Sequence, residues 1–344
     1  MIRFNNDYNH AAHPAVLEAI ARTASEGYFG YGEDALCERA AALIRAEIGD
    51  RNAAVHFLVG GTQTNAVVID ALLRPYQGVI AADTGHIAVH EGGAIEANGH
   101  KVLTLPHENG KLSAEAIRAF CRAFWDNPVH AHMVMPGMVY LSQPTEFGTL
   151  YSLSELSAIR GACRDFGLFL YVDGARMAYG LAAAQNDVTL ADLARLTDAF
   201  YIGGTKCGAL FGEALVFPDP TLLPHFFTSM KQHGAVLAKG WLLGAQFCAL
   251  FENGLYAEIG AHAVSAAMQI RAACLERGLP MPIDSPTNQQ FAVLTEAQMR
   301  RLEQAYVFEP WEPLGDGRHC VRFCTSWSTA QAEADALAAD LRAL

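Results

Sequence analysis

Between positions 53 and 217 short apolar runs alternate with stretches of helical periodicity, and this order limits the fold more than any other property of the chain. Runs at 53–59, 78–82, 101–105, 133–141, 168–172 and 210–217 read as strands, as does the apolar start of the stretch 199–209. Helical segments are expected after Gly60, at 113–125 and at 153–166. Alternation of this kind predicts an α/β architecture, a sheet with helices packed on it. Upstream, FNNDYNHAAHP reads as extended. A helix is expected from Pro14, and a second at 34–48 is closed by Gly49. From about Trp241 the one-for-one alternation stops. Alanine-rich helices at 244–254 and 256–278, strands near Phe291, Tyr306 and Cys320, and a last helix predict a smaller α+β domain over 241–344. The large domain then covers 1–240, with residues 1–13 as its N-terminal arm.

Two of the apolar runs end in side chains that need an explanation. In the stretch 199–209 a strand-like apolar run delivers Lys206 into a turn of small residues, and a desolvated lysine of lowered pKa is what imine formation with a carbonyl requires. Asp173 closes the run at 168–172. A carboxylate and an amine at the ends of two buried strands suggest a cofactor gripped from both sides. Pyridoxal phosphate fits: its aldehyde takes the lysine, and its ring nitrogen needs an acidic partner to stay protonated. A third element suits its phosphate. Gly60, Gly61 and Thr62, in GGTQTN, form a glycine turn between strand and helix that would present unpaired N–H groups to an anion. The same pattern also describes nucleotide sites and plain α/β crossovers.

The formal net charge of −12 and a pI near 5.5 oppose a nucleic-acid partner. Apolar stretches are interrupted well before the length of a membrane span, and MIRFNNDYNH lacks a signal-peptide core, so a cytoplasmic location is expected. Eight cysteines without CxxC pairs read as reduced thiols. His86 and His90 at i, i+4 could clamp a metal, but the acidic residues do not follow the HExxH order, and no metal is expected.

YVDGARMA around Asp173 and FYIGGTKCGALFGEALVF around Lys206 resemble the threonine aldolase and β-eliminating lyase family of fold type I pyridoxal-phosphate enzymes. The likeness runs from FNNDY to VRFCTSW. It implies an aspartate-aminotransferase-like large domain with a mostly parallel seven-stranded sheet, and a small C-terminal domain. By the same resemblance Lys206 carries the cofactor, Asp173 holds the ring nitrogen and His86 lies on the ring. Arg176, fit to grip a carboxylate with two parallel bonds, contacts substrate or cofactor. The alternative is a salt bridge closing its turn. His130 and His132 would face one side of an extended segment. His132 is the closer match to a family histidine that handles the β-hydroxyl proton. Lys231, in KQHG where the family has arginine, would meet the phosphate. Arg322 in VRFCTSW would bind the substrate carboxylate. Asn6, where the family has serine, would reach the substrate. Tyr31, in YGED, would reach a neighbouring subunit's site. Asn6 also belongs to an arm that could instead lie on a partner subunit.

The implied activity is cleavage of the Cα–Cβ bond of a β-hydroxy-α-amino acid to glycine and an aldehyde, by a homodimer or homotetramer. Alternatives are another lyase or an aminotransferase on the same cofactor, or a non-enzymatic nucleotide-binding protein.

Overall fold

The computed structural model describes residues 1–344. Twelve strands run in chain order: β1 (Ile2–Arg3), β2 (Ala54–Leu58), β3 (Gln77–Ala82), β4 (Val102–Leu105), β5 (Met135–Ser142), β6 (Phe169–Asp173), β7 (Ala199–Gly203), β8 (Glu213–Phe217), β9 (Gln289–Thr295), β10 (Tyr306–Val307), β11 (Glu309–Pro313) and β12 (Arg318–Cys324). Seven of them form one sheet in the order β2-β8-β7-β6-β5-β3-β4. Only β8 runs against its neighbours. It is not the edge, because β2 lies outside it and supplies the rim.

The central strands read as continuous apolar runs because both faces are covered. Ile80, Val139, Leu141, Val172 and Phe200 enter one buried cluster, while Val79, Met138, Tyr140, Tyr171 and Tyr201 enter another on the opposite face. The first four α-helices are α1 (Pro14–Arg22), α2 (Ala35–Ile48), α3 (Gly61–Leu72) and α4 (His86–Val89), of which α3 and α4 carry site residues. The start and stop of α2 follow local chemistry. The Asp34 carboxylate accepts from the Leu36 and Cys37 N–H groups, and Gly49 ends the helix in the left-handed conformation.

A second unit is an antiparallel sheet, β11-β12-β9, packed on the helices Leu255–Arg277 and Gln331–Arg342. Two expectations about the domains need correction. The helix Trp241–Phe251 packs on α1 and α2, in the large unit. The division falls inside the helix Leu255–Arg277: Tyr256, Ile259 and Ala263 belong to the large core, and Ile270, Ala273 and Cys274 to the small one. The arm, in turn, packs at its start on the small unit rather than the large one. β1 pairs with β10, the Phe4 amide donates to the Val307 carbonyl, and Phe4 is fully buried in the small core. Composition marked a change of organisation near Trp241, but a long helix shared by two cores carries no sequence break where they meet. All eight cysteines are buried free thiols. No helix is long and apolar enough to cross a membrane.

Candidate active site

The parallel strands β5, β6 and β7 finish side by side at Ser142, Asp173 and Gly203, and ligands of open α/β sheets bind beyond such ends. Close approach of the last two depends on glycine. The Gly203 amide donates to the Gly174 carbonyl at 3.0 Å, and a Cβ on Gly203 would lie 2.3 Å from the Ala175 carbonyl oxygen. Larger residues would pry the strand ends apart, and with them Asp173 and the turn that carries Lys206.

Asp173 is 4% exposed and accepts four hydrogen bonds. Its Oδ1 takes the Tyr201 hydroxyl at 2.5 Å and the Ala175 N–H at 2.9 Å. Its Oδ2 takes the Tyr140 hydroxyl at 2.6 Å and the Asn65 amide at 3.1 Å. Burial alone would raise the Asp173 pKa, but His86 and the hydrogen bonds from Tyr140, Tyr201 and Ala175 together hold it below the usual carboxylate value. A buried acid that stays ionised is what a protonated ring nitrogen requires.

Asn65 extends the network. Its Nδ2 also reaches Glu91 Oε1 at 2.7 Å, its Oδ1 accepts from the Tyr171 hydroxyl at 2.9 Å, and Glu91 Oε1 holds His86 Nδ1 at 2.7 Å. The His86 amide donates to Glu146 Oε1 at 2.9 Å, which also takes the Ser142 hydroxyl at 2.7 Å. So His86 is fixed through both backbone and ring, while a third of its side chain stays exposed to the cleft. His90 lies 5.6 Å away, ring centre to ring centre. Burial and the nearby positive groups of His86, Arg322 and Lys206 push its pKa down.

Lys206 is part-buried in the turn between β7 and β8. Burial lowers its pKa and the Arg176 guanidinium lowers it further, against the opposing pull of Asp7, Asp173 and Glu213. This is the environment the sequence predicts for an imine-forming amine. At the N-terminus of α3, Gly60 is the cap residue and the first-turn N–H groups have no partner inside the helix. Space at Gly61 is tight: a Cβ would stand 3.0 Å from the Tyr201 hydroxyl, the same group that donates to Asp173. Amine, carboxylate and open helix end fit pyridoxal phosphate.

Arg322 is on β12, with Nη1 donating to Gln289 Oε1 and Nη2 to the Asn5 carbonyl, each at 3.1 Å, and its guanidinium over the Trp311 ring. Its buried Nε and the buried Gln289 Nε2 have no partner, two donors available to an anion.

Other predicted residues are placed differently. Arg176 pairs with Asp7, Nε to Oδ2 at 2.6 Å and Nη2 to Oδ1 at 3.1 Å, a salt bridge whose partner is on the arm rather than in its own turn. Asn6 uses Oδ1 to accept the Tyr8 amide in a local turn. Tyr31 and Lys231 are exposed and in contact, the Lys231 amine 4.3 Å from the Tyr31 ring centre; the partner of Lys231 within this chain is that ring, not the α3 terminus. His132 is a correction. His130–His132 form a 3₁₀ turn rather than an extended segment, and His132 is exposed at the entry to β5. The eight residues of β5 place its entry roughly 25 Å from its exit at Ser142.

Asn65, Glu91, Tyr140, Tyr201 and Glu213 escaped the sequence reading. A usable signal existed for the tyrosines. Tyr171 is two residues before Asp173 and so shares its face, and the register of β6 with β5 and β7 puts Tyr140 and Tyr201 on that face too.

Residues 7–297 match the family described as Beta-eliminating lyase. The chain is similar to the low specificity L-threonine aldolase of Pseudomonas sp. (strain NCIMB 10558), 32% identical over 323 residues that cover 91% of this chain and 89% of that one. A solved structure of Leishmania major threonine aldolase superposes with a TM-score of 0.96 at 43% identity, covering 100% of this chain and 99% of that one. Thermus thermophilus aspartate aminotransferase, with maleate, shares the fold alone: TM-score 0.72 at 16% identity, covering 100% of this chain and 91% of that one.

Proposed function

Since the chain belongs to the beta-eliminating lyase family, whose members depend on pyridoxal phosphate, we propose that it cleaves the Cα–Cβ bond of β-hydroxy-α-amino acids to glycine and an aldehyde. The observation that carries this reading is the convergence of Lys206 and the four-bonded Asp173 at adjoining strand ends. When bound, the cofactor supplies an electron sink for the charge left at Cα. Lys206 is the residue that attaches it, Asp173 holds a proton on its ring nitrogen, and the N–H groups around Gly60, Gly61 and Thr62 hold its phosphate. Arg322 takes the substrate carboxylate through its unpaired Nε, which fixes the direction of the Cα–Cβ bond. His86 replaces His132 as the histidine at this end of the sheet. With Nδ1 held by Glu91, its other ring nitrogen is left for the hydroxyl proton.

A spectrum of the purified protein tests the cofactor. Borohydride should fix the group on Lys206. Incubation with threonine, allo-threonine and phenylserine should release aldehyde in step with glycine. Absence of aldehyde from all three, with the cofactor in place, counts against the substrate class.

The active form is proposed to be a homodimer or homotetramer. Phe29 is 82% exposed and Phe227 41%, and the Tyr31–Lys231 pair is exposed as well. Burial of Tyr31 and Lys231 against a second copy is the arrangement in which they could serve its site. A monodisperse, active monomer in light scattering would exclude it.

A further inference from the structure

Glu213 is a buried carboxylate, 3% exposed, that the chemistry above does not use. It opens β8, opposite Gly203 in the β7 register, and its two oxygens grip the two residues that precede Lys206. Oε2 accepts the Gly204 N–H at 2.9 Å, and Oε1 accepts the Thr205 hydroxyl at 2.8 Å. The same turn is tied across its base, the Gly204 and Thr205 amides donating to the Gly212 carbonyl at 3.0 and 3.1 Å and the Gly212 amide to the Thr205 oxygen at 3.0 Å. No cation forms a salt bridge with Glu213. A buried acid is retained at a cost unless its charge has a use, and the amine it can influence is on the next residue of the segment it holds.

We propose that Glu213 is a positioning residue for Lys206: it fixes the turn that aims the amine, and its ionisation sets the field in which that amine gains or loses a proton. The inference rests on the reading of Lys206 as the cofactor lysine. Groups that face Glu213 are Lys206, Asp173, Cys207, Tyr171, Tyr201 and Tyr256; those that face Lys206 are Arg176, Asp7, Asp173, Glu213, His90, whose pKa is lowered by burial and nearby positive charge, and Cys324, whose thiol burial pushes up to about 12. Burial pushes the pKa of the Glu213 carboxyl up to about 7, partly offset by the Thr205 and Gly204 hydrogen bonds and Lys206. Of the groups around it, the tyrosines and Cys207 are driven upward and stay neutral near pH 7. Its charge therefore changes near neutrality, where Asp7, Asp173 and Arg176 keep theirs. Proton loss from Glu213 as pH rises through 7 adds a negative charge beside Lys206 and favours the ammonium form.

The test compares wild type with E213Q and E213D. Glutamine keeps the size and one acceptor without the charge; aspartate keeps the charge but falls short of the turn. In cofactor-free protein, the rate at which an amine-specific reagent labels Lys206 should be about three- to tenfold higher in E213Q than in wild type above pH 7, because less of the amine is held as ammonium once the neighbouring negative charge is gone. In the cofactor-loaded protein, the visible band should show a pH transition near 7 that E213Q lacks. Hydrogen exchange at 204–212 should be faster in E213D than in wild type, with E213Q between them. Matching labelling profiles for wild type and E213Q, together with an unaltered band titration, overturn the proposal. If no cofactor band forms on Lys206 in wild type, the reading of the site fails instead, and the labelling comparison still decides whether Glu213 governs the amine.

Discussion

The Arg176 guanidinium and the Asp7 carboxylate form a bidentate pair, 2.6 and 3.1 Å, that joins the exit of β6 to the N-terminal arm. Asn288 adds a third bond to Asp7 at 3.0 Å from the small unit. One carboxylate thus ties together the arm, the catalytic strand ends and the C-terminal sheet. Asn5, two residues earlier, receives Arg322. The arm is a strut across the cleft, fixed by this charge pair.

Asp7→Asn should therefore destabilise the fold by about 3–5 kcal/mol, because it leaves the buried Arg176 uncompensated. Burial opposes ionisation of Asp7, but Arg176, Lys206 and the hydrogen bonds from Arg176 and Asn288 overcome it and bring the pKa to about 2 from the ordinary 3.8. A folded-state pKa below the unfolded one gives stability that is fully present above pH 4. It is lost as pH falls through about 2, and it amounts to about 2 kcal/mol. Thermal unfolding of wild type and variant across pH 2–7 should show the gap narrowing toward the acid end.

Lys206→Ala should abolish the covalently held cofactor and lower aldehyde release by at least about 10²–10⁴-fold, the range attributed to a positioned proton-transfer group alone. Asp173→Asn should reduce turnover over a similar range while the cofactor remains attached. It also places an amide among four donors, at a cost of about 1–3 kcal/mol. Absorbance, mass of the borohydride-reduced protein and melting temperature separate the two variants.

His132→Ala should change kcat/KM by less than about twofold, as surface substitutions away from a site usually do. Exposed at the opposite end of β5, the ring has no route to a proton at Asp173's end of the sheet. His86→Ala should be the damaging change of the two, and Glu91→Gln should lower kcat, since Glu91 fixes the ring through Nδ1. Steady-state kinetics from pH 6 to 9 on the three variants would decide the assignment.

The alternation of apolar runs made the sheet legible, and the strand ending in Asp173 together with the turn that carries Lys206 after β7 revealed the site, because burial of a charge beside a strand end is rare enough to need a purpose. Reach across the structure was harder to read. Arg176 and Asp7 are 169 positions apart, and nothing local distinguishes an arginine awaiting a ligand from one already paired. His132 failed for a related reason: matching by position put it near the site, yet a parallel strand has two ends and only one faces the cofactor. Asn65 and Glu91 sit among ordinary helix and loop residues, and their importance comes from each other. A buried asparagine in the apolar run that follows GGTQT was the one hint.

Arg322→Lys should raise KM for a β-hydroxy amino acid by about 10- to 100-fold with a smaller change in kcat, as loss of a charged hydrogen bond worth about 1.5–3 kcal/mol implies. Lysine keeps the charge but gives up the planar fork that simultaneously meets Gln289 and the Asn5 carbonyl and leaves Nε free. Because the arm depends on that carbonyl contact, the variant should also exchange amide hydrogens faster at 2–8. Gln289→Leu separates the two effects: it removes the neighbouring unpaired amide and one arginine anchor while the Asn5 contact stays. A KM increase in Arg322→Lys with no change in arm protection would assign Arg322 to the substrate alone, whereas unchanged KM would remove it from the substrate site altogether.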